Sequence, residues 1–152
     1  MTKKIAVVLC VIVFSVFSAA CRGGLSSAVK KGELASEFED TKLDKEYLWV
    51  RGIAASNPEH TTTTQRRAMS REAAIANAYQ RAVEFIKGSG VTANVRVIDA
   101  ISSDSTIETK VEGLVRGGEI YSSEYLKDDG CVVVMRILRS SLNSINIELP
   151  EA

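Results

Sequence analysis

The fold turns on TQRRAMSREAAIANAYQRAVEFIK, residues 64–87. Ala68, Ile75, Ala78, Tyr79, Ala82 and Ile86 recur at helical spacing and fall on one face, whereas Arg66, Ser70, Asn77, Gln80, Arg81 and Glu84 fall opposite. The stretch therefore reads as an amphipathic helix from Thr64 to Lys87. Thr62 and Gln65 fit a capping box at its start, and Gly88 fits a left-handed cap at its end. The many alanines point to a helix lying close on a sheet, because small side chains leave little depth for packing to fill.

The flanking segments supply that sheet. Upstream, YLWVRGIAA (residues 47–55) is rich in strand formers and alternates sides. Leu48, Val50 and Ala54 share one face; Tyr47, Trp49, Arg51 and Ile53 share the other, which Arg51 marks as the outer one. Downstream of Gly90, Val91, Ala93, Val95 and Val97 alternate with Thr92, Asn94 and Arg96, the pattern of a strand. Ser102–Ser105 is a polar break, and Thr106–Glu112 forms a short helix with Ile107 and Val111 inward, ended by Gly113. Leu114–Leu126 reads as a long strand bent by a bulge at Gly117-Gly118. Asp128-Asp129-Gly130 is hairpin chemistry. Cys131–Arg139 follows as the most apolar strand, with Cys131, Val133, Met135 and Ile137 inward and Arg136 outward. The tail from Ser140 carries Ile145, Ile147 and Leu149, enough for a short edge element. The expected class is α+β: a small antiparallel sheet packed by one long amphipathic helix and a short second one.

The N-terminus has a different character. Met1–Lys4 is cationic, Ile5–Phe17 is apolar apart from one serine, and Ser18-Ala19-Ala20 is small. The apolar run falls short of the about 20 residues that span a bilayer, and basic, apolar, small is the order of a secretory signal peptide. Cys21 follows the small triplet, so Ser18-Ala19-Ala20-Cys21 resembles a bacterial lipobox, whose cysteine accepts diacylglycerol before cleavage between Ala20 and Cys21. Ser18 stands where leucine is usual, and Ser18 with Ala20 also satisfies the rule for ordinary secretion. Both readings cut before Cys21 and differ in whether it carries lipid. Lipid is preferred, because ordinary cleavage would leave an unpaired thiol in an oxidising compartment. Arg22, rather than aspartate, then favours export to the outer membrane.

Residues 22–46 turn polar and glycine-containing and read as a flexible tether, with a span on the order of 25–30 Å. The expected organisation is a signal peptide over 1–20, a lipidated cysteine and tether over 21–46, a domain over 47–139 and a tail over 140–152.

Composition narrows the chemistry. The chain has 152 residues, 45% hydrophobic and 25% charged, with 19 basic and 19 acidic side chains; residues 21–152 alone carry a net charge of −2. That balance argues against nucleic acid as a partner. One histidine and three cysteines are too few for the usual zinc site or a disulfide framework, so no metal and no cofactor is expected. His60 lies in the turn Ser56–His60 without a second histidine to work with, and Cys131 begins an apolar strand as a core thiol. Gly113, Gly117 and Gly118 match no phosphate-binding spacing, and Asp128-Asp129 alone supplies too few oxygens for a hard cation. No nucleophile–base pair is visible, so no catalytic residue is expected. Tyr47 and Trp49 stand out: on an outer sheet face they would make contact anchors, unless the tail or a second layer covers them.

The order Trp49-Val50-Arg51-Gly52, then Arg71–Ala78 within a helix ending at Gly88, then Val111–Gly117, then the hairpin Asp129–Val134 resembles the LPP-twenty lipoproteins. These are bacterial outer-membrane lipoproteins similar to the N-terminal domain of flagellar assembly protein T. The likeness covers Tyr47 to Arg139 and rests on spacing and residue class, with no invariant chemical motif. It implies a periplasm-facing or surface-facing module with no known enzymatic activity, some of whose relatives brace rings around the flagellar motor. The resulting expectation is a lipid-anchored outer-membrane protein with a structural or assembly role, acting on envelope or flagellar proteins or on its own copies. The alternative is a periplasmic binding module for a small ligand or envelope glycan.

Overall fold

In the computed structural model the described residues are 24–92, 95–96, 105–145, 147 and 149. The signal peptide, Ala20 and Cys21 lie outside them. The elements are β1 (Val29–Lys30), β2 (Glu33–Leu34), β3 (Thr41–Leu43), β4 (Tyr47–Ala54), α1 (Thr63–Lys87), β5 (Gly90–Thr92), β6 (Val95–Arg96), α2 (Ser105–Arg116), β7 (Glu119–Tyr125), β8 (Cys131–Leu138) and α3 (Arg139–Asn143). The main sheet runs β3-β4-β8-β7 and is antiparallel throughout, with α1 and α2 on one face. The α+β class is thus the observed one.

Helix α1 starts where its cap chemistry places it. Thr62 has extended dihedrals, and its hydroxyl accepts a hydrogen bond from the Gln65 amide at 3.2 Å. The buried stripe is Ser70, Ala74, Ala78, Ala82 and Ile86, every fourth residue. This rotates the inner face from the expected one: Ala68 is exposed, while Ser70, read as outward, is buried and donates to the Asp129 carbonyl at 2.7 Å. Apolarity alone misplaces the stripe because residues at the sheet contact are selected for small size. Gly52 of β4 shows why. A Cβ built there would lie 2.0 Å from the Ala74 carbonyl oxygen and 2.6 Å from the Ala78 nitrogen, so helix backbone rests directly on strand backbone. Asn77 completes the junction by accepting from the Ile53 amide at 3.1 Å.

Around that junction lies the helix-side core: Leu48 and Val50 from β4, Met135 and Ile137 from β8, and Val111 and Val115 from α2. Leu142, Ile147 and Leu149 join it, so the tail expected as an edge element is a short helix followed by side chains that enter the core. Gly88 closes α1 in the right-handed region (φ −76°) rather than the left-handed one; its amide still reaches the Glu84 carbonyl at 3.0 Å. The strand expected over 91–97 is two short strands, β5 and β6, paired with each other. Alternating valines read alike in one strand and in two arms of a hairpin.

The largest difference lies in the middle. Helix α2 continues through Gly113 to Arg116, so Leu114 and Val115 are helical and not the start of a long strand. Val111 and Val115 are spaced one helical turn apart and both are buried, which outweighs the helix-breaking cost of one glycine. The bulge in the following strand sits at Tyr121, between the Ile120–Met135 and Ser122–Val134 pairs, and not at Gly117-Gly118. A Cβ at Gly118 would lie 2.9 Å from the Met135 sulfur and 3.0 Å from the Val115 carbonyl, so that glycine serves close approach.

The second face of the sheet is covered too. Residues 24–46, expected as a tether, include β1, β2 and β3: β3 pairs with the edge of β4, and residues 24–40 cross the face opposite the helices as a strap. Arg51, expected to point outward into solvent, is fully buried under it. Its guanidinium donates to the carbonyls of Ser26 and Glu39 and stacks on the Phe38 ring at 5.1 Å. Ser27 donates to Glu124 at 2.6 Å, Lys127 pairs with Glu33 at 2.7 Å, and the Lys127 amide reaches the Gly32 carbonyl at 2.8 Å. Polar composition misleads here because backbone and charge pairs, rather than large apolar side chains, hold the strap.

The two glycines at helix contacts predict opposite responses. Gly52→Ala lowers the urea-unfolding free energy by about 3 kcal/mol or more, since neither backbone can yield. Gly113→Ala, whose Cβ meets nothing within 4 Å, raises it by about 0.5–1 kcal/mol through helix propensity. A destabilised Gly113→Ala would contradict the position of α2.

Candidate functional site

Register brings an aromatic cluster together at one end of the strap-side face. Trp49 of β4 stands opposite Arg136 of β8 and Lys42 of β3, Glu119 of β7 stands opposite Arg136, and Tyr47 stands opposite Leu138. The Tyr121 bulge turns its ring edge-on to Trp49, centroids 5.0 Å apart at 90°, and Tyr47 lies 5.6 Å from Trp49 on the other side. The Arg136 guanidinium sits over the rings of Tyr47 (4.7 Å), Tyr121 (5.1 Å) and Trp49 (5.8 Å). Such contacts add on the order of 0.5–1 kcal/mol each when partly exposed. Glu119 hydrogen-bonds Arg136 at 2.8 Å and holds its pKa above the ordinary value.

Within this cluster the two sequence-derived interface residues part company. Trp49 is 3% exposed, so it is not an exposed contact anchor. The covering layer is the strap: a Cβ at Gly24 would lie 3.3 Å from the indole, and φ +135° at Gly24 is a conformation glycine adopts readily. The indole nitrogen donates to Asp44 at 2.6 Å. Burial works to raise the Asp44 pKa, but the hydrogen bonds from Trp49, Tyr47 and Glu46 and the charge of Lys42 outweigh it, and the net shift is downward. Tyr47 is half-buried at the cluster's margin. The surface itself is formed by Tyr121, 57% exposed, and Leu138, 48% exposed. Sequence reasoning missed both, Tyr121 because its bulge cannot be read from alternation, and Leu138 because it is one residue in an otherwise buried strand.

The hairpin tip is a second polar cluster, with a structural role. Asp129, at φ 64°, takes Arg66 at 2.9 Å and Arg67 at 2.8 Å on its two carboxylate oxygens, tying the β7–β8 turn to the first turns of α1. The hydrogen bonds from Arg66 and then Arg67 hold its pKa below the ordinary carboxylate value. Asp128 is exposed and accepts from the Gly130 amide at 3.1 Å within the turn. These carboxylates are therefore engaged by cations and amides of the chain itself. Cys131 is fully buried beside Ala74 and Val133, and burial raises its thiol pKa. His60 is half-buried in its turn, where its carbonyl accepts from Arg66 at 3.2 Å.

On the helical layer, α1 and α2 leave a groove of about 500 Å³ lined by Tyr79, Val83, Val115 and the stems of Glu84, Lys87 and Arg116. Its charged rim is internally paired: Gln80 with Glu84 at 3.0 Å, Lys87 with Glu108 at 3.0 Å, and Arg116 with Glu112 at 3.8 Å. Among the described residues no group of three His, Cys, Asp or Glu side chains is gathered as a metal site, and no helix is long and apolar enough to cross a membrane. No protein-family model, curated protein or solved structure matches this chain.

Two outcomes follow from these clusters. Trp49→Ala lowers stability by about 3–5 kcal/mol, as expected for a core aromatic; a variant as stable as the parent would return Trp49 to the surface. For Asp129, a depressed folded-state pKa means that its contribution is complete above the unfolded carboxylate pKa, near the ordinary 3.8, and fades as pH falls through the lower folded value. Asp129→Asn is therefore less stable than the parent at pH 7, and the difference narrows on acidification below pH ~4 in urea midpoints measured across that range.

Proposed function

We propose that the chain is a lipid-anchored protein of the cell envelope, held at the outer membrane through Cys21, with a structural or assembly role exercised by protein contacts rather than catalysis. The observation that carries this reading is the order of residues 1–21: a cationic start, an apolar run too short to span a bilayer, a small triplet and then a cysteine. The resemblance of residues 47–139 to the LPP-twenty lipoproteins points the same way and makes the flagellar apparatus the first assembly to test.

The geometry gives this reading a mechanism. Acyl chains each contribute about 0.8 kcal/mol per buried CH₂, so two or three fix the protein at a membrane without a spanning helix. With residues 24–40 laid across the sheet and β3 paired to its edge, only Arg22 and Gly23 separate Cys21 from the described domain. Position is thus set closely, and the α1–α2 layer on the opposite side of the sheet is offered to partners. The rival, a binding module for a small ligand or envelope glycan, has the α1–α2 groove as its natural place. A ligand there would have to compete with rim pairs already formed, which is why protein contact is the preferred reading.

Cells producing the parent protein are expected to hold it in the outer-membrane fraction, with a mature N-terminus at Cys21 whose mass includes diacylglycerol. Cys21→Ala should move it out of that fraction. An unmodified Cys21 and unchanged fractionation in both would sink the anchor. Enrichment with washed flagellar basal bodies is the expected result for the motor role, and its absence directs the search to other envelope partners or to self-assembly.

A further inference from the structure

Resting on the Cys21 anchor just proposed, we infer that the open aromatic end of the sheet is a membrane-seating surface: Tyr121, Tyr47 and Leu138, with Arg136 and Lys42, settle into the headgroup layer of the bilayer that holds the lipid.

Gly24 packs against the Trp49 indole, and its carbonyl accepts from the Lys42 ammonium at 3.1 Å, so the strap ends pinned to the aromatic cluster. Cys21 is three residues earlier in the chain. Fully extended backbone covers at most about 3.3–3.6 Å per residue, so the lipidated sulfur stays within roughly 10–15 Å of this cluster, about twice the thickness of one headgroup layer. A domain on so short a leash presents to the bilayer whatever surface surrounds the point of attachment.

That surface has interfacial chemistry. The strap covers Arg51 and Trp49 but leaves Tyr121 and Leu138 about half exposed beside half-buried Tyr47. Tyrosine rings are favoured at the membrane–water boundary, where the apolar body and the hydroxyl each find their own medium. Leu138 adds an aliphatic side chain that can enter the acyl boundary. Arg136, held by Glu119 at 2.7 Å, and Lys42, held by the Gly24 carbonyl at 3.1 Å, place cationic groups at the cluster whose remaining N–H donors can face phosphate. Two acidic groups at this end are already engaged: Glu119 pairs with Arg136 at 2.7 Å, and Asp44 accepts from the Trp49 indole and from the amides of Tyr47 and Glu46. The helical layer, with Met69 53% exposed on α1, lies on the other side of the sheet and points away from the bilayer.

The chain has one tryptophan, Trp49, which makes fluorescence a clean reporter. The full-length acylated protein, reconstituted into phosphatidylethanolamine–phosphatidylglycerol vesicles with or without lipids brominated high on the acyl chain, is compared with Tyr121→Trp, Leu138→Trp and Met69→Trp. Flotation and the mass of the mature N-terminus are measured on the same samples. Bromolipid is expected to quench roughly half of the emission added by Tyr121→Trp or Leu138→Trp, as for side chains 5–10 Å into the boundary, and almost none of that added by Met69→Trp. Two reporters guard against one variant perturbing the cluster, and an unchanged urea midpoint qualifies each. If the protein floats and carries lipid but neither strand reporter is quenched beyond Met69→Trp, the seating surface is wrong and the anchor stands. Reporters shielded from acrylamide yet untouched by bromolipid would assign the patch to a second copy and also overturn the proposal. If Cys21 carries no lipid, anchor and seating fall together.

Discussion

A buried guanidinium organises this protein. Arg51 stands in the second strand of a four-stranded sheet, on the face away from the helices, and is fully removed from solvent. A cation so placed is costly unless its hydrogen bonds are met, and burial lowers its pKa even though nearby Asp40 and Glu124 oppose the shift. The carbonyls of Ser26 and Glu39 accept from its two terminal nitrogens and the ring of Phe38 lies against it, all from one segment, while its buried Nε has no hydrogen-bond partner among the described residues. The cation therefore recruits a polar stretch that has little apolar reason to fold and makes it a layer of the domain. Its neighbour Gly52 does the reverse on the other face, where the absence of a side chain lets α1 descend onto the strand. Two adjacent residues of β4 thus fix both layers.

Much of the helical layer was legible before the structure, because α1 carries a cap, a period and a length that admit one reading. The hairpin was legible for similar reasons: Asp129-Gly130 fixes the turn, and Cys131, Val133, Met135 and Ile137 do point to the helices. What the sequence concealed follows from three physical ambiguities. Arg51 looked like a surface marker because a buried arginine differs from an exposed one only in its partners, which are remote in sequence. Gly113 looked like a helix end because its propensity cost is visible, whereas the buried pair Val111 and Val115 that outweighs it is not. Residues 24–46 looked like a tether because composition registers apolar side chains and is blind to backbone pairing.

The candidate surface was half legible. Tyr47 and Trp49 pointed to the correct end of the correct face, but Trp49 is the floor of the cluster, and the exposed rim belongs to Tyr121 and Leu138. The bulge at Tyr121 and the register of β8 decide that, and both require the paired strands. The sidedness that results is the main functional content of the fold: a strap and aromatic end on one face, two helices and their groove on the other. On the proposed anchoring, the two residues between Cys21 and Gly24 would keep the first face near the bilayer and the second away from it, so that residues 24–46 would serve orientation rather than reach.

Everything in this account depends on the strap being part of the folded domain. Amide hydrogen exchange at Ala35, Lys127 and Arg51, whose N–H groups donate to Ala28, Gly32 and Asp40 at 2.8 Å, reads it directly. Slow exchange is expected at these amides, within reach of the protection expected for Val50 and Val133 in the central ladder. Free-chain exchange at Ala35 and Lys127 alongside a protected β4–β8 ladder would contradict it, returning residues 24–46 to a loose tether and leaving Arg51 without its partners.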